Sequence, residues 1–248
     1  MSGAIRSELL KLRTTRTFLG IVIATLALVA LIAGAQAAAD SFDRNSTPGL
    51  DLLDVAGLAQ PFALVLGILA VSTEFRHGTI TPTLLATPDR LRLMAAKLWA
   101  HAAAGIVLDL VAYGIAALLM GAILPMRDIS SGISTGKGIE TAVGGIACIA
   151  LLAAIGVGVG AVVRNQVGAV IGGLAWMFVI EPLLAAIPTV GEWIADYGLG
   201  GAITAVSGST FDGGADISQI AGGLLLLGYA ALFAVAGVAL LRRRDVSA

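Results

Sequence analysis

Charge is scarce in this sequence. Only 12% of its 248 residues are Asp, Glu, Lys or Arg, about half the share of a soluble domain. That shortage excludes an ordinary water-soluble globule. The net charge of −1 gives no sign of a nucleic-acid partner. Cysteine is nearly absent: Cys148 stands alone inside an apolar block, so no internal disulfide framework or thiolate metal site can form, and it reads as a small core residue. Two scattered histidines, His77 and His101, do not make a metal centre. A phosphate-binding loop is lacking too. The nearest string, "SGISTGKG" from Ser131 to Gly138, misses the first glycine and the final hydroxyl of that motif. No G-x-S-x-G elbow occurs either. The chain therefore reads as a non-enzyme without cofactor or metal of its own.

What is abundant is hydrocarbon. Apolar residues make up 58% of the chain and mean hydropathy is +0.95. They fall in continuous blocks of about twenty, the length a helix needs to cross ~30 Å of hydrocarbon. Six candidate spans follow: Phe18–Ala39, Val55–Thr73, Leu98–Leu124, Ala142–Val163, Val167–Ile187 and Ile220–Leu241. Continuous blocks argue against a barrel, whose strands alternate over about ten residues. The fold class expected is an all-α membrane protein in a single transmembrane domain.

Basic residues orient it. With the N-terminus inside, twelve of the fifteen Lys and Arg fall on the cytoplasmic side, and only Arg44, Arg127 and Lys137 outside. This bias is the positive-inside pattern, and it places both termini in the cytoplasm. Ala35-Gln36-Ala37 imitates a signal-peptide cleavage site, but the preceding apolar run is longer than a usual signal core. The charge bias fits the uncut chain.

Three polar segments remain. In residues 1–17, Ile5, Leu9 and Leu12 lie at i, i+4, i+7, with Arg6, Lys11 and Arg13 elsewhere around the helix, which predicts an amphipathic helix in the membrane interface. In residues 74–97, Thr81-Pro82 predicts a cap and a short helix to Ala86. Thr87-Pro88-Asp89 predicts a second cap, from which helix runs into the third span. The short helix offers Ile80, Leu84 and Leu85 either to a cytoplasmic partner or to the protein's own cytoplasmic ends. In residues 188–219, "EWIADYGLGGAITAVSG" is apolar but glycine-rich and short, which predicts an external re-entrant hairpin with Trp193 and Tyr197 at headgroup level.

Asp109 and Glu181 are the acids inside spans, with no Lys or Arg inside any span as bounded here. Intramembrane acids are costly and face a bundle interior or wet cavity. Pro182 after Glu181 predicts a kink. Gly156/Gly160 and Gly168/Gly172, at i, i+4 spacing, allow close helix approach within one chain or across a dimer seam. Asn45 opens a glycosylation-type triplet, discounted because Pro48 follows closely.

The arrangement resembles the permease subunits of type-2 ATP-binding-cassette (ABC) exporters, which include bacterial drug, antibiotic, sodium and polysaccharide exporters. The resemblance runs over the whole chain. It rests on the "SELLKLRTTR" helix, six spans, the turn of Glu74, Arg76, Gly78 and Thr79, then "LLATPDRLRLMAAK" with Pro88 and Arg90, and a re-entrant region before the last span. It implies that residues 74–97 hold a coupling helix seated on a separate ABC ATPase, in two copies, which binds ATP and Mg. It implies an N-terminal connecting helix, a second permease copy or sister subunit, and the bacterial inner membrane as location. The function implied is export of a small molecule, drug, lipid-like compound or ion, multidrug efflux included. The competing expectation is an ATPase-independent secondary transporter or ion pathway through Asp109 and Glu181. Internal inverted repeats, which would favour it, are not evident.

Overall fold

The computed structural model describes residues 2–38, 47–208 and 216–243. Asn45, Arg44 and Arg244, on which the sequence makes calls, lie outside the described residues. Those described form helices and no strands: α1 (Ser2–Thr14), α2 (Arg16–Ala38), α3 (Pro48–Asp54), α4 (Ala59–Arg76), α5 (Ile80–Ala86), α6 (Arg90–Met126), α7 (Thr135–Val163), α8 (Gln166–Ala175), α9 (Glu181–Ala185), α10 (Gly191–Tyr197), α11 (Leu199–Ser207) and α12 (Gln219–Arg243). Six helical stretches are long and apolar enough to span a membrane: α2, α3–α4, α6, α7, α8–α9 and α12.

α7 is the central post. It packs against α4, α6 and α12, and glycine sets how closely. A Cβ at Gly156 would stand 2.2 Å from the Leu64 carbonyl oxygen, one at Gly160 2.5 Å from that of Ile68, and one at Gly67 2.1 Å from that of Ala153. No side chain fits between these backbones, so the Gly156/Gly160 pair is a seam within the chain. The Gly168/Gly172 pair is different: a Cβ at Gly172 meets nothing, and one at Gly168 meets only Asn165 of its own cap. α8 sits at the periphery, with Val167 and Ile171 exposed.

At one end of the bundle, here the basic end, the chain links α4 to α6 through α5. α4 closes with Gly78 at φ +66°. The Thr79 N–H donates to the Glu74 carbonyl at 2.9 Å and the Gly78 N–H to that of Phe75 at 3.3 Å. This is the Schellman stop, which favours glycine at the left-handed position. The caps are shifted from those expected. α5 begins at Ile80 with Thr79 at its N-cap position, so Thr81 and Pro82 lie inside its first turn, where a missing N–H has no intrahelical partner to lose. α6 is capped by Asp89 rather than Thr87. Its carboxylate accepts from the N–H of Leu91 at 3.0 Å and of Arg92 at 3.2 Å, and satisfies two orphan donors where a hydroxyl usually satisfies one. At 37 residues, α6 is about 55 Å long and reaches well past the span that hydropathy alone marks.

The fifth span breaks where a kink is expected, by a different device. Trp176–Ile180 forms a π-helical turn before Glu181 and Pro182. Pro182 has no N–H to give to the Phe178 carbonyl, and a wider turn absorbs the lost bond. At the opposite end of the bundle, α10 and α11 form two short helices that meet at Gly198. "SGISTGKG" there is simply the start of α7, with Ser134 capping the N–H of Lys137 at 3.2 Å.

Candidate functional site

Two sets of buried charge stand in this bundle, built on opposite plans. The first is at the basic end. Of the described side chains of α1, only Glu8 is buried. It lies one turn from Ile5 and from Leu12, both half-buried, so it occupies the inward stripe of the helix. Leu9, expected on that stripe, is 38% exposed instead. Glu8 Oε2 accepts from Lys97 Nζ at 3.0 Å and Oε1 from Lys11 Nζ at 2.7 Å. Glu74 Oε1 receives the same two cations, Lys97 at 2.8 Å and Lys11 at 2.7 Å. Lys97 also donates to the Ala70 carbonyl at 3.0 Å. Two acids and two bases thus tie α1, α4 and α6 in a neutral cluster.

The cluster corrects one reading. Lys97, on the helix expected to run into the third span but outside the apolar run, is a core side chain, 2% exposed. Arg76 stays out of the cluster and donates to Gln166 Oε1 at 3.1 Å. Burial alone would raise the Glu8 carboxyl, but Lys97 and Lys11 beside it hold it below its ordinary value. Burial would likewise lower Lys11, and Glu74 and Glu8 hold it above its ordinary value.

Below this cluster α5 stands clear of the bundle, and its apolar residues divide. Ile80 is 3% exposed and packs inward, Leu84 is half-buried, and Leu85 is 77% exposed beside exposed Thr81, Pro82 and Ala86. The two alternatives open for these residues divide among them: Leu85 faces outward and Ile80 packs on the chain's own bundle. Arg90, at the start of α6, donates to the Leu241 carbonyl near the end of α12. Arg164 donates to the Leu240 carbonyl at 2.8 Å and lies 5.0 Å above the Phe75 ring. Arg13 is exposed, as are His77 and Pro88.

The second set is inside the bundle. Asp109 of α6 is 0% exposed, and neither of its oxygens has a hydrogen-bond partner. It lines a cavity of about 590 Å³ together with Gln36, Asp54, Gln60, Tyr113 and Ser207, with no Lys or Arg on its wall among the described residues. Tyr113 on the same wall donates to the Thr141 carbonyl at 3.1 Å. Glu181 is 5% exposed, and its Oε1 accepts from the Gly200 N–H at 2.5 Å. It thereby satisfies a donor in the first turn of α11. A second cavity, of about 530 Å³, opens at Glu181. Asp109 and Glu181 do not share one cavity; each opens on its own.

His101 is buried, its Nδ1 2.9 Å from the Lys97 carbonyl, and is apart from exposed His77. Among the described residues no three His, Cys, Asp or Glu side chains gather as a metal site. Sequence reasoning passed over Glu8 and the seat of Lys97. The signal was available: an acid on the apolar stripe of a basic helix, and a lysine one residue before an apolar run.

Six long apolar helices around buried seams define a multi-pass helical membrane protein. Compared with protein families and with curated proteins, the chain matches none.

Proposed function

We propose that this chain is the permease subunit of an ABC exporter, energised by a separate ATPase docking at α5. The observation that carries this reading is the geometry of α5. It is a seven-residue helix held rigidly between two spans by a Schellman stop and an Asp89 cap, with Leu85 presented outward at 77% exposure. An exposed leucine on a stiff lever between two spans is an apolar contact offered to a partner. Cations around it add a complementary charge for an acidic rim. In this reading the basic end is cytoplasmic and α1 lies in the interface, locked to the spans by its ion cluster. The α10–α11 pair is a re-entrant element on the outer side. Asp109 and Glu181 line the transport path, and a second permease copy completes the transporter.

The test is copurification with candidate ABC ATPase subunits, wild type against Leu85→Asp. Leu85 has no inward packing to lose, so the variant is expected to fold and to lose the ATPase. Wild type that retains no ATPase would end the reading. A second reading, ion-coupled transport without an ATPase, is favoured by one observation: both Asp109 oxygens lack a partner inside a cavity. Flux driven by an ion gradient in ATP-free vesicles, abolished by Asp109→Asn, would establish it instead.

A further inference from the structure

Aromatic residues are few in this chain, yet two of its three tryptophans and two of its three tyrosines meet at one place. Trp176, Trp193, Tyr197, Tyr229 and Phe233 surround the cavity of about 530 Å³ that opens at Glu181. They come from four separate stretches: the π turn, α10, α12 and, for the carboxylate, α9. Among the described residues no Lys, Arg or His lines the cavity.

The parts are fixed in place. Trp193 and Tyr197 stack at 5.8 Å between ring centroids, tilted by 33°. The Tyr229 hydroxyl donates to the Tyr197 carbonyl at 2.7 Å and so ties α12 to α10. Glycine makes room for the acid: a Cβ at Gly198 would stand 2.3 Å from Glu181 Oε1, and one at Gly200 3.2 Å. One carboxylate oxygen is held by the Gly200 N–H and the Trp176 indole bears on the same carboxylate, while Oε2 is buried without a hydrogen bond of good geometry.

We propose that this cavity binds a hydrophobic organic cation, a quaternary or tertiary ammonium or a phosphonium, with its charge facing Glu181 and its substituents against the rings. Ring faces carry negative potential and attract such cations, and aromatic cages recognise quaternary ammonium. A buried carboxylate oxygen without a hydrogen-bond partner is costly, and a cation facing it offsets part of that cost. The volume suits a drug-sized ligand. An anion of the same shape meets the ring faces and Glu181 with the wrong sign. A choline headgroup of a phospholipid carries the same chemistry as a free cation. The inference names a substrate class for the transporter reading and rests on that reading for its physiological meaning; the binding itself needs no ATPase.

The experiment uses the full chain, purified in detergent, with Trp99→Phe so that fluorescence reports Trp176 and Trp193. Trp99 lies away from the cavity, on α6. Tetraphenylphosphonium is titrated against tetraphenylborate, its anionic counterpart. Saturable quenching by the phosphonium alone is expected, with Kd at least tenfold weaker in Glu181→Gln and several-fold weaker in Trp193→Leu. Glutamine keeps an oxygen for Gly200. Should that variant fail to fold, Trp193→Leu at the rim carries the test. Equal binding of both probes, or a Kd unmoved by the variant, overturns the proposal. In phosphatidylcholine vesicles, competition with the phosphonium that phosphatidylglycerol vesicles lack assigns the headgroup as the source. Equal binding in both assigns a free cation. Failure of ATPase capture leaves this result standing, and failure of the titration leaves the ATPase reading standing.

Discussion

The chain buries acids in two ways. At the basic end, Glu8 and Glu74 each meet Lys97 and Lys11 within 3.0 Å. Deeper in the bundle, Asp109 has no hydrogen-bond partner and Glu181 has one of its oxygens bonded to Gly200. In the first set the charges are matched inside the chain and fix helices, although Glu74 Oε2 has no hydrogen-bond partner and Glu8, Lys11 and Glu74 line a cavity of about 440 Å³. The second set is incomplete: among the described residues no cation stands on the walls of the cavities on which its acids open. A membrane interior makes that incompleteness expensive, so it is retained where something else supplies the missing charge or hydrogen bonds. Lysine-matched acids tie helices together; Asp109 and Glu181 leave buried oxygens without a hydrogen-bond partner.

The largest effect that can break this comparison is Lys97→Met. The apolar body of the side chain is kept, and two acids are left facing each other at a buried site. Removing one partner of a buried ion pair costs about 3–5 kcal/mol, which for a chain of this size is a fall in Tm of roughly 6–20 °C. Lys11→Met is the sharpening control. Lys11 is 42% exposed, so water takes over part of its role and the fall is expected to be smaller. Thermal unfolding in detergent checks both. No fall for either variant would mean that the cluster is not what holds α1.

Much of this was legible in the sequence. The six spans were, because hydrophobic length is a property of composition and needs no tertiary information. Span ends were less so. Lys97 sits one residue outside the apolar run and reads as flank; the helix through it was legible, but its burial depends on α1 folding over it. The caps of α5 and α6 slipped by two residues because several Thr and Asp in a row can each cap, and only the backbone path decides which does. Glu74 stands out as part of the turn after the second span, whereas Glu8, the acid that completes the cluster, stands within "SELLKLRTTR" with no partner in sequence to mark it. The cavity at Glu181 was illegible for a different reason. Its rings are as far apart as Trp176 and Phe233 in sequence, and no periodicity links them.

A gentler perturbation than mutation separates the paired cluster from the rest by pH. Glu8 is held below its ordinary 4.5. Its contribution is therefore present above pH 4.5 and is lost as pH falls through the depressed folded value. Lys11 is held above its ordinary 10.5. Its contribution is complete below pH 10.5 and is lost as pH rises through the raised folded value. Docking of α1 is thus expected to hold from about pH 5 to 10 and to loosen on both sides. Spin labels on Leu10→Cys and Leu85→Cys report it, since both positions are exposed and Cys148 is buried. A single narrow distance should broaden below the acid limit and above the basic one. A distance that changes between pH 6 and 8 would place the latch elsewhere.

The smallest effect is expected at Asp109, and its sign is what matters. Asp109→Asn keeps the shape and replaces a carboxyl group that has no hydrogen-bond partner among the described residues. No hydrogen bond to the two carboxylate oxygens is lost, because none is made. The amide still carries unsatisfied polar atoms, at about 1–3 kcal/mol for a buried group, but a buried ionised carboxylate costs more than that. The two nearly cancel, so Tm should stay within a few degrees of wild type or rise, where Lys97→Met makes it fall steeply. A steep fall for Asp109→Asn would show that the carboxylate is bonded after all, to water or to a neighbour, and would move Asp109 from the open set to the closed one. An unchanged or raised Tm together with lost transport would mark a group kept at the fold's expense for what it binds.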